Sequence, residues 1–321
     1  MTGIAGSGIR IGLDVGGTKI AGLAVADDGT HLAAVRRPTG WGDAAVVDGA
    51  VAAVTALIEQ LGESSRSIRS IGIGIPGLVD ASEGLVLHAV NLGVASLGLA
   101  SRVREALGIP CFVENDVKAA ALGAASLRPG AEPMAYLNLG TGVAAGLIIG
   151  GRIWRGARGT AGEVGHLVVD PQGRVCGCGQ RGCIETLCGG GALARAWGRG
   201  GDLPVKDILD AADSGDERAA GLRADLFRGA AAAVRALVLS TDVETVVIGG
   251  GLTALGPRIE PGIRARLRSD AAESPFMQSL HLDERIELLT GDSPVAAIGA
   301  ALLGAAIAVP SPLDKEMPSH G

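Results

Sequence analysis

Two stretches of this chain can be laid one on the other: DVGGTKIAGLAV, from Asp14, and NLGTGVAAGLII, from Asn138. Each runs from an acidic or amide residue through a turn of glycine and threonine into an apolar strand. A sequence that restarts in this way is constrained to fold as two related halves. From Arg10 the chain reads as the strand IRIGLDV, the strand IAGLAVA and a third strand around HLAAVRR. Val46, Val47, Ala50, Val51, Val54, Leu57, Ile58 and Leu61 then share one face at 3.6 residues per turn, which predicts an amphipathic helix. IRSIGIGIPG reads as a buried strand, SRVREALG as a helix and CFVEN as a short strand, with an Ala-rich helix from about Val117. From Met134 the order begins again, with AYLNLG, TGVAAGLIIGG and RIWRGARG as a strand set. A helix over 226–237, the strand VETVVIGGG, a further helix, the strand RIELLTGD and a closing Ala-rich helix follow. Such alternation predicts α/β domains with a mostly parallel core sheet, and a cleft between the halves as the ligand site. The predicted division is 1–122, completed by a C-terminal helix over 295–315, and 123–294.

The cores must be built almost without aromatics, since the 321 residues hold three Trp, three Phe and one Tyr. The 52 glycines exceed ordinary usage and mark tight turns and close backbone approaches. A 47% apolar, 19% charged composition excludes sustained disorder. Net charge is −6 and no Lys/Arg run stands out, so no nucleic-acid partner is expected. The N-terminus lacks a secretory pattern, and the longest uncharged apolar stretch, 295–309, falls short of the roughly 20 residues of a membrane span. A cytoplasmic protein with no membrane partner is expected, and its cysteines then meet a reducing compartment.

Asp14, Gly16, Gly17, Thr18 and Lys19 lie in the first turn and Gly140, Thr141 and Gly142 in the second. Either alone reads equally well as a plain hairpin turn. As a facing pair, their backbone N–H groups suit phosphate, with Asp14 helping to hold magnesium. The Gly249-Gly250-Gly251 run after VETVVI is a third close-approach point, suited to the nucleotide's base. Glu114-Asn115-Asp116 comes where a strand gives way to a helix. It reads as an N-cap, or as a base, Asp116, with Asn115 fixing a neighbouring hydroxyl. Glu163 and His166 in GEVGH, and Glu185, read as surface ion-pair partners or as acceptors for vicinal hydroxyls.

Cys176, Cys178 and Cys183 fall within eight positions, shortly after His166. A Cys176–Cys178 disulfide would be strained and out of place in a reducing compartment. A redox pair is more typically Cys-x-x-Cys. One nitrogen and three sulfurs match a closed structural zinc site, which leaves Cys111 and Cys188 as buried thiols.

Taken together, DVGGTKI, IGIPG, VENDVKAAALG, LGTGVAAGLI, GEVGHLVVD, CGCGQRGCIE and VVIGGG resemble the ROK sugar kinases, within the actin and hexokinase fold group. The resemblance implies a two-lobed actin/hexokinase, ribonuclease H-like, α/β fold of duplicated βββαβαβα halves with a zinc-binding loop insertion. It implies ATP-dependent phosphorylation of a hexose at its 6-hydroxyl, glucose foremost, with N-acetylmannosamine, N-acetylglucosamine or fructose as alternatives. Asp116 would be the general base, and Asn115, Glu163, His166 and Glu185, with Gly77 and Asn91, would bind sugar. Asp14, Gly16, Gly17, Thr18, Lys19, Gly140, Thr141 and Gly142 would handle ATP phosphates and Mg2+, with Gly249 and Gly250 on the adenosine side. His166, Cys176, Cys178 and Cys183 would hold structural Zn2+, His166 meeting sugar through its other ring nitrogen. A homodimer or homotetramer is implied as well. The family includes sugar-responsive repressors with a winged helix ahead of the sugar domain, for which the thirteen residues before Asp14 leave no room. Three features depart from the pattern: GVASLG after Asn91-Leu92 in place of a loop with Pro and Trp, Lys118 in place of Asn, and Gly189 in place of Ser.

Overall fold

The computed structural model describes residues 8–130, 132–289 and 293–306. Its strands and helices, in chain order, are β1 (Ile9–Val15), β2 (Lys19–Ala26), β3 (His31–Pro38), α1 (Asp43–Leu61), β4 (Ile68–Ile75), β5 (Leu78–Asp80), β6 (Leu85–Ala89), β7 (Val94–Gly98), α2 (Leu99–Leu107), β8 (Cys111–Asn115) and α3 (Asp116–Ser126). There follow β9 (Met134–Leu139), β10 (Val143–Ile149), β11 (Arg152–Ile153), α4 (Ile184–Cys188), α5 (Gly190–Trp197), α6 (Pro204–Asp213), α7 (Glu217–Thr241), β12 (Thr245–Gly249), α8 (Gly256–Ala271), α9 (Pro275–Ser279), β13 (Ile286–Leu288) and α10 (Val295–Ala306). They form two compact units, Met1–Ser126 with Pro294–Gly321, and Leu127–Ser293. The first break comes four residues after the sequence-based division, because α3 runs unbroken through Ser126. Of the helix expected over 295–315, residues 307–315 lie outside the described residues.

Each unit has a five-stranded sheet, ordered β3-β2-β1-β4-β8 in the first and β11-β10-β9-β12-β13 in the second. In both, an antiparallel hairpin is followed by strands added in parallel: β1 pairs with β2 and then β4, and β9 with β10 and then β12. The duplication read from the two Gly-Thr turns is therefore a duplication of topology. Helices α4, α5, α6 and α9 are additions to the expected elements, and two strand features also depart from expectation. RIWRGARG forms only the two-residue β11, and residues 78–98 make a small antiparallel sheet, β5-β6-β7, inserted between β4 and α2.

The first sheet separates its faces by strand alternation. Ile11, Leu13 and Val15 of β1 and Ile71, Ile73 and Ile75 of β4 are fully buried in a core shared with Val46, Ala50, Val54 and Leu57 of α1. Helix α1 is long and apolar enough to cross a membrane by composition, but this face of it packs on the sheet. The opposite face carries Gly12 and Gly72, each in close contact with α10. A Cβ at Gly12 would fall 1.9 Å from the Ala297 carbonyl oxygen, and one at Gly72 would fall 1.8 Å from that of Ala300. Helices α3 and α10 meet just as closely, since a Cβ on Gly299 would sit 1.7 Å from the Ala119 oxygen. Backbone stands where methyl groups would, so Gly72→Ala is expected to cost about 1–3 kcal/mol or more through overpacking. A urea midpoint equal to that of the unaltered protein would refute that close approach.

In the second unit Ala135, Leu137 and Leu139 of β9, with Val246 and Ile248 of β12, face a helical layer built around α7.

Candidate active site

In the first unit the alternation that turns Gly12 toward α10 also turns Asp14 toward that face. Asp14 pairs with Gly74 of β4, and a Cβ on Gly74 would lie 3.5 Å from the Asp116 Cα at the start of α3. The two carboxylates thus share one end of the sheet. Burial, with the negative charge of Asp116 next, pushes the Asp14 carboxyl up to about 6, against a smaller opposing effect of Lys19. The turn that follows is closed by Gly16 N–H donating to the Lys19 carbonyl at 2.9 Å. Thr39, fully buried, braces it by donating its hydroxyl to the Gly16 carbonyl at 2.6 Å. Nothing in the sequence marks Thr39, because its partner belongs to a different turn.

Asn115 caps a helix and orients Asp116. Its Oδ1 accepts from Val117 N–H at 3.1 Å and Lys118 N–H at 3.2 Å, which caps α3. Its Nδ2 donates to Asp116 Oδ1 at 3.0 Å and to the Gly77 carbonyl at 3.2 Å. Asp116 Oδ1 also accepts from Val117 N–H at 2.9 Å, so the carboxylate is held at a set orientation. Gly77 (φ 107) in turn packs on Ala89, and Asn91 lies against Gly17. Asp14, Gly16 to Lys19, Gly77, Asn91, Asn115 and Asp116 are therefore brought to one end of this unit.

In the second unit the corresponding turn, Gly140 to Gly142, is braced from the segment after the cysteines. Gly190 N–H donates to the Gly140 carbonyl at 2.8 Å and Gly191 N–H to the Thr141 carbonyl at 2.9 Å. Glu185 Oε2 accepts from Val143 N–H at 3.0 Å. Gly162 and Gly165 let GEVGH lie on β10, where a Cβ at either would come within 2.0 Å of a carbonyl oxygen of Ala145 or Val143. This sets Glu163 and His166 beside the turn. Gly249 pairs with Asn138 of β9, and a Cβ on Gly250 would lie 2.6 Å from the Leu139 oxygen, so the third glycine cluster flanks the same turn.

The ligand atoms of His166, Cys176, Cys178 and Cys183 all lie within 4.8 Å of one another. Cys178 Sγ and Cys183 Sγ are 3.7 Å apart, and Cys176 Sγ is 3.8 Å from His166 Nδ1. Zinc–sulfur bonds of ~2.3 Å in a tetrahedron give edges of about 3.8 Å, so the four residues fit a tetrahedral zinc ion. Burial pushes the Cys183 thiol up to about 12, while hydrogen bonds from Gln180 hold exposed Cys178 down to about 6. The loop that carries the cysteines is anchored by a network the sequence does not reveal. Arg174 donates to the Thr186 carbonyl and to Asp225 of α7, and Arg228 bridges Asp225 and Asp170.

A model of the ROK family matches residues 10–306. The chain belongs to the ROK family. Among its relatives, a glucokinase of Halalkalibacterium halodurans is 30% identical over 282 residues, covering 81% of this chain and 86% of the relative. An N-acetylmannosamine kinase of Yersinia pseudotuberculosis is 32% identical over 251 residues, covering 76% and 83%. The solved ROK family glucokinase of Streptomyces griseus, in complex with glucose and AMPPNP, is 31% identical with a TM-score of 0.76, covering 92% of this chain and 98% of that one. This ROK protein accordingly has the actin/hexokinase-like α/β fold expected from its motifs. The first unit follows βββαβαβα with β5-β6-β7 added; the second follows βββαβαβ, with the cysteine loop and α4 to α7 ahead of β12 and α8 and α9 ahead of β13, and α10, next in the chain, belongs to the first unit.

Proposed function

We propose that this ROK protein transfers the γ-phosphoryl group of ATP to the 6-hydroxyl of a hexose, glucose foremost. The observation that carries the proposal is the Asp116 carboxylate, oriented by Asn115 and standing beside Asp14 of the first glycine turn. Phosphoryl transfer depends mainly on positioning and charge stabilisation, and a carboxylate held in a fixed direction is suited to take the hydroxyl proton. The backbone N–H groups of Gly17 and Gly142 hold phosphate oxygens, in turns that Gly16 N–H closes on the Lys19 carbonyl and Gly140 N–H on the Gly142 carbonyl, with Thr18, Thr141 and Lys19 beside them. Bound Mg2+ supplies neutralisation of phosphate charge, with Asp14 as its protein partner. Gly249 and Gly250 take the adenosine side. Asn91, Asn115, Glu163 and His166 accept or donate to the remaining sugar hydroxyls, with the Gly77 carbonyl holding the Asn115 amide in place. Glu185 joins them in the sugar set and steadies the second turn through Val143. His166 faces the cysteines with Nδ1, which leaves Nε2 for the sugar. Zinc held by His166, Cys176, Cys178 and Cys183 is structural, since protein fills all four positions. Thiolates serving as zinc ligands fit a reducing, cytoplasmic location.

The similarity to an N-acetylmannosamine kinase favours a second reading, an N-acyl hexosamine as substrate. Sugar phosphate formation, followed by mass spectrometry across glucose, mannose, fructose, N-acetylmannosamine and N-acetylglucosamine with ATP and polyphosphate as donors, decides between them. Turnover of none of the five sinks the proposal.

The raised carboxyl of Asp14 has a cost in stability. Its folded value of about 6 exceeds the unfolded 3.8, so both states are protonated below pH 3.8 and it costs nothing there. Above pH 6 both are ionised, and the folded state is disfavoured by up to about 3 kcal/mol. Asp14→Asn is thus expected to raise the urea midpoint at pH 8, in metal-free buffer, and to leave it unchanged near pH 3.5. A variant that gains as much at pH 3.5 as at pH 8 refutes the assignment.

A further inference from the structure

We propose that Trp41 is an aromatic platform on which the ring of a hexopyranose rests, and so a specificity-determining residue. This deepens the kinase reading above and rests on it. In a chain with only three Trp, this indole stands 70% exposed. One side of it is seated on backbone, since a Cβ at Gly93 would fall 2.5 Å from Trp41 Cε2 and Nε1. Gly93 is required there twice, for that space and for its left-handed φ of 68°. The seat is tied down at both ends. Gly42 N–H donates to the Leu92 carbonyl at 2.7 Å, and Thr39 holds the Gly16 carbonyl at 2.6 Å. The short segment 39–42 therefore clamps the first glycine turn to the stretch that carries Asn91.

That stretch leads back to the proposed base by direct contacts within the first unit. Asn91 lies on Gly17, Ala89 packs on Gly77, and the Gly77 carbonyl accepts from the Asn115 amide that holds Asp116. The ring thus borders the same ensemble of hydroxyl-binding groups, and it offers what they lack, a flat apolar surface. A hexopyranose has hydroxyls around its edge and C–H bonds on its faces, so polar groups alone leave a face without a partner. An indole fixed on one side and open on the other supplies that partner with little ordering cost.

The test uses the whole 321-residue chain with glucose, mannose, N-acetylmannosamine, N-acetylglucosamine and fructose. Trp41→Ala is expected to raise KM for the preferred sugar about tenfold or more, leaving kcat and KM for ATP within about twofold. Trp41→Phe should restore most of the loss. Titrating sugar without nucleotide should change the tryptophan emission of the unaltered protein but not of Trp41→Phe. An unchanged sugar KM in folded Trp41→Ala overturns the proposal. So does a loss confined to KM for ATP, which would make the indole a stacking surface for the base. If the unaltered protein binds and turns over none of the five sugars, the kinase reading fails and this proposal fails with it.

Discussion

Asp116→Asn is expected to lower kcat by about 10²–10⁴-fold, the range a positioned general base contributes, with the fold and the zinc content intact. The substitution keeps an oxygen that can accept from Val117 N–H and from Asn115 Nδ2, so the start of α3 is preserved. It also removes the negative charge that helps to raise the Asp14 carboxyl. The variant should therefore be at least as stable as the unaltered protein above pH 6, which separates loss of a catalytic group from loss of structure. Coupled ADP release at saturating sugar and ATP measures the first, and urea unfolding at pH 8 the second. Full activity would refute the assigned base. A large drop in stability together with activity would show that Asp116 serves chiefly to hold the fold.

Removing a proposed zinc ligand should affect the two proposed substrates differently. Cys178→Ala, or chelation of the metal, frees the loop from which Glu163, His166 and Glu185 are presented. Hydrogen bonds to charged groups contribute ~1.5–3 kcal/mol each, so losing two of them weakens sugar binding by roughly 100-fold or more. The second glycine turn is less exposed to the change. It loses the Glu185 support on Val143, but it keeps Gly190 on Gly140, Gly191 on Thr141 and the β9–β10 ladder. Nucleotide affinity should fall by less than about tenfold. Calorimetry with glucose and with a non-hydrolysable ATP analogue, alongside zinc determination, checks both. Equal loss of both ligands with loss of helical signal would indicate global unfolding.

The sequence carries those parts of the fold and the candidate site whose causes are local. The two starts are legible because each half repeats a strand, a Gly-Thr turn and a strand. The cysteine cluster is legible because three of its four candidate metal ligands come from one short loop. The β5-β6-β7 sheet is not, since its strands are three to five residues long and mix buried with exposed positions. Helices α4 and α5 are hidden by Gly189-Gly190-Gly191, a run that reads as a loop. In fact it brings backbone N–H groups against the turn at Gly140. Thr39, Arg174 and Trp41 escape a sequence reading for one shared reason. Each acts on a partner far along the chain, Gly16, Asp225 and Gly93 respectively, and no local pattern records a contact that only the fold creates.

The return of α10 to the first sheet has a consequence for how the protein comes into being. Leu127–Ser293 is one uninterrupted stretch, whereas the sheet that begins the chain carries glycines whose cover is the last helix described. During synthesis the second unit has all of its strands before the first has all of its helices. The half that leaves the ribosome first is thus the half completed last, with Gly12 and Gly72 uncovered until residues 295–306 arrive.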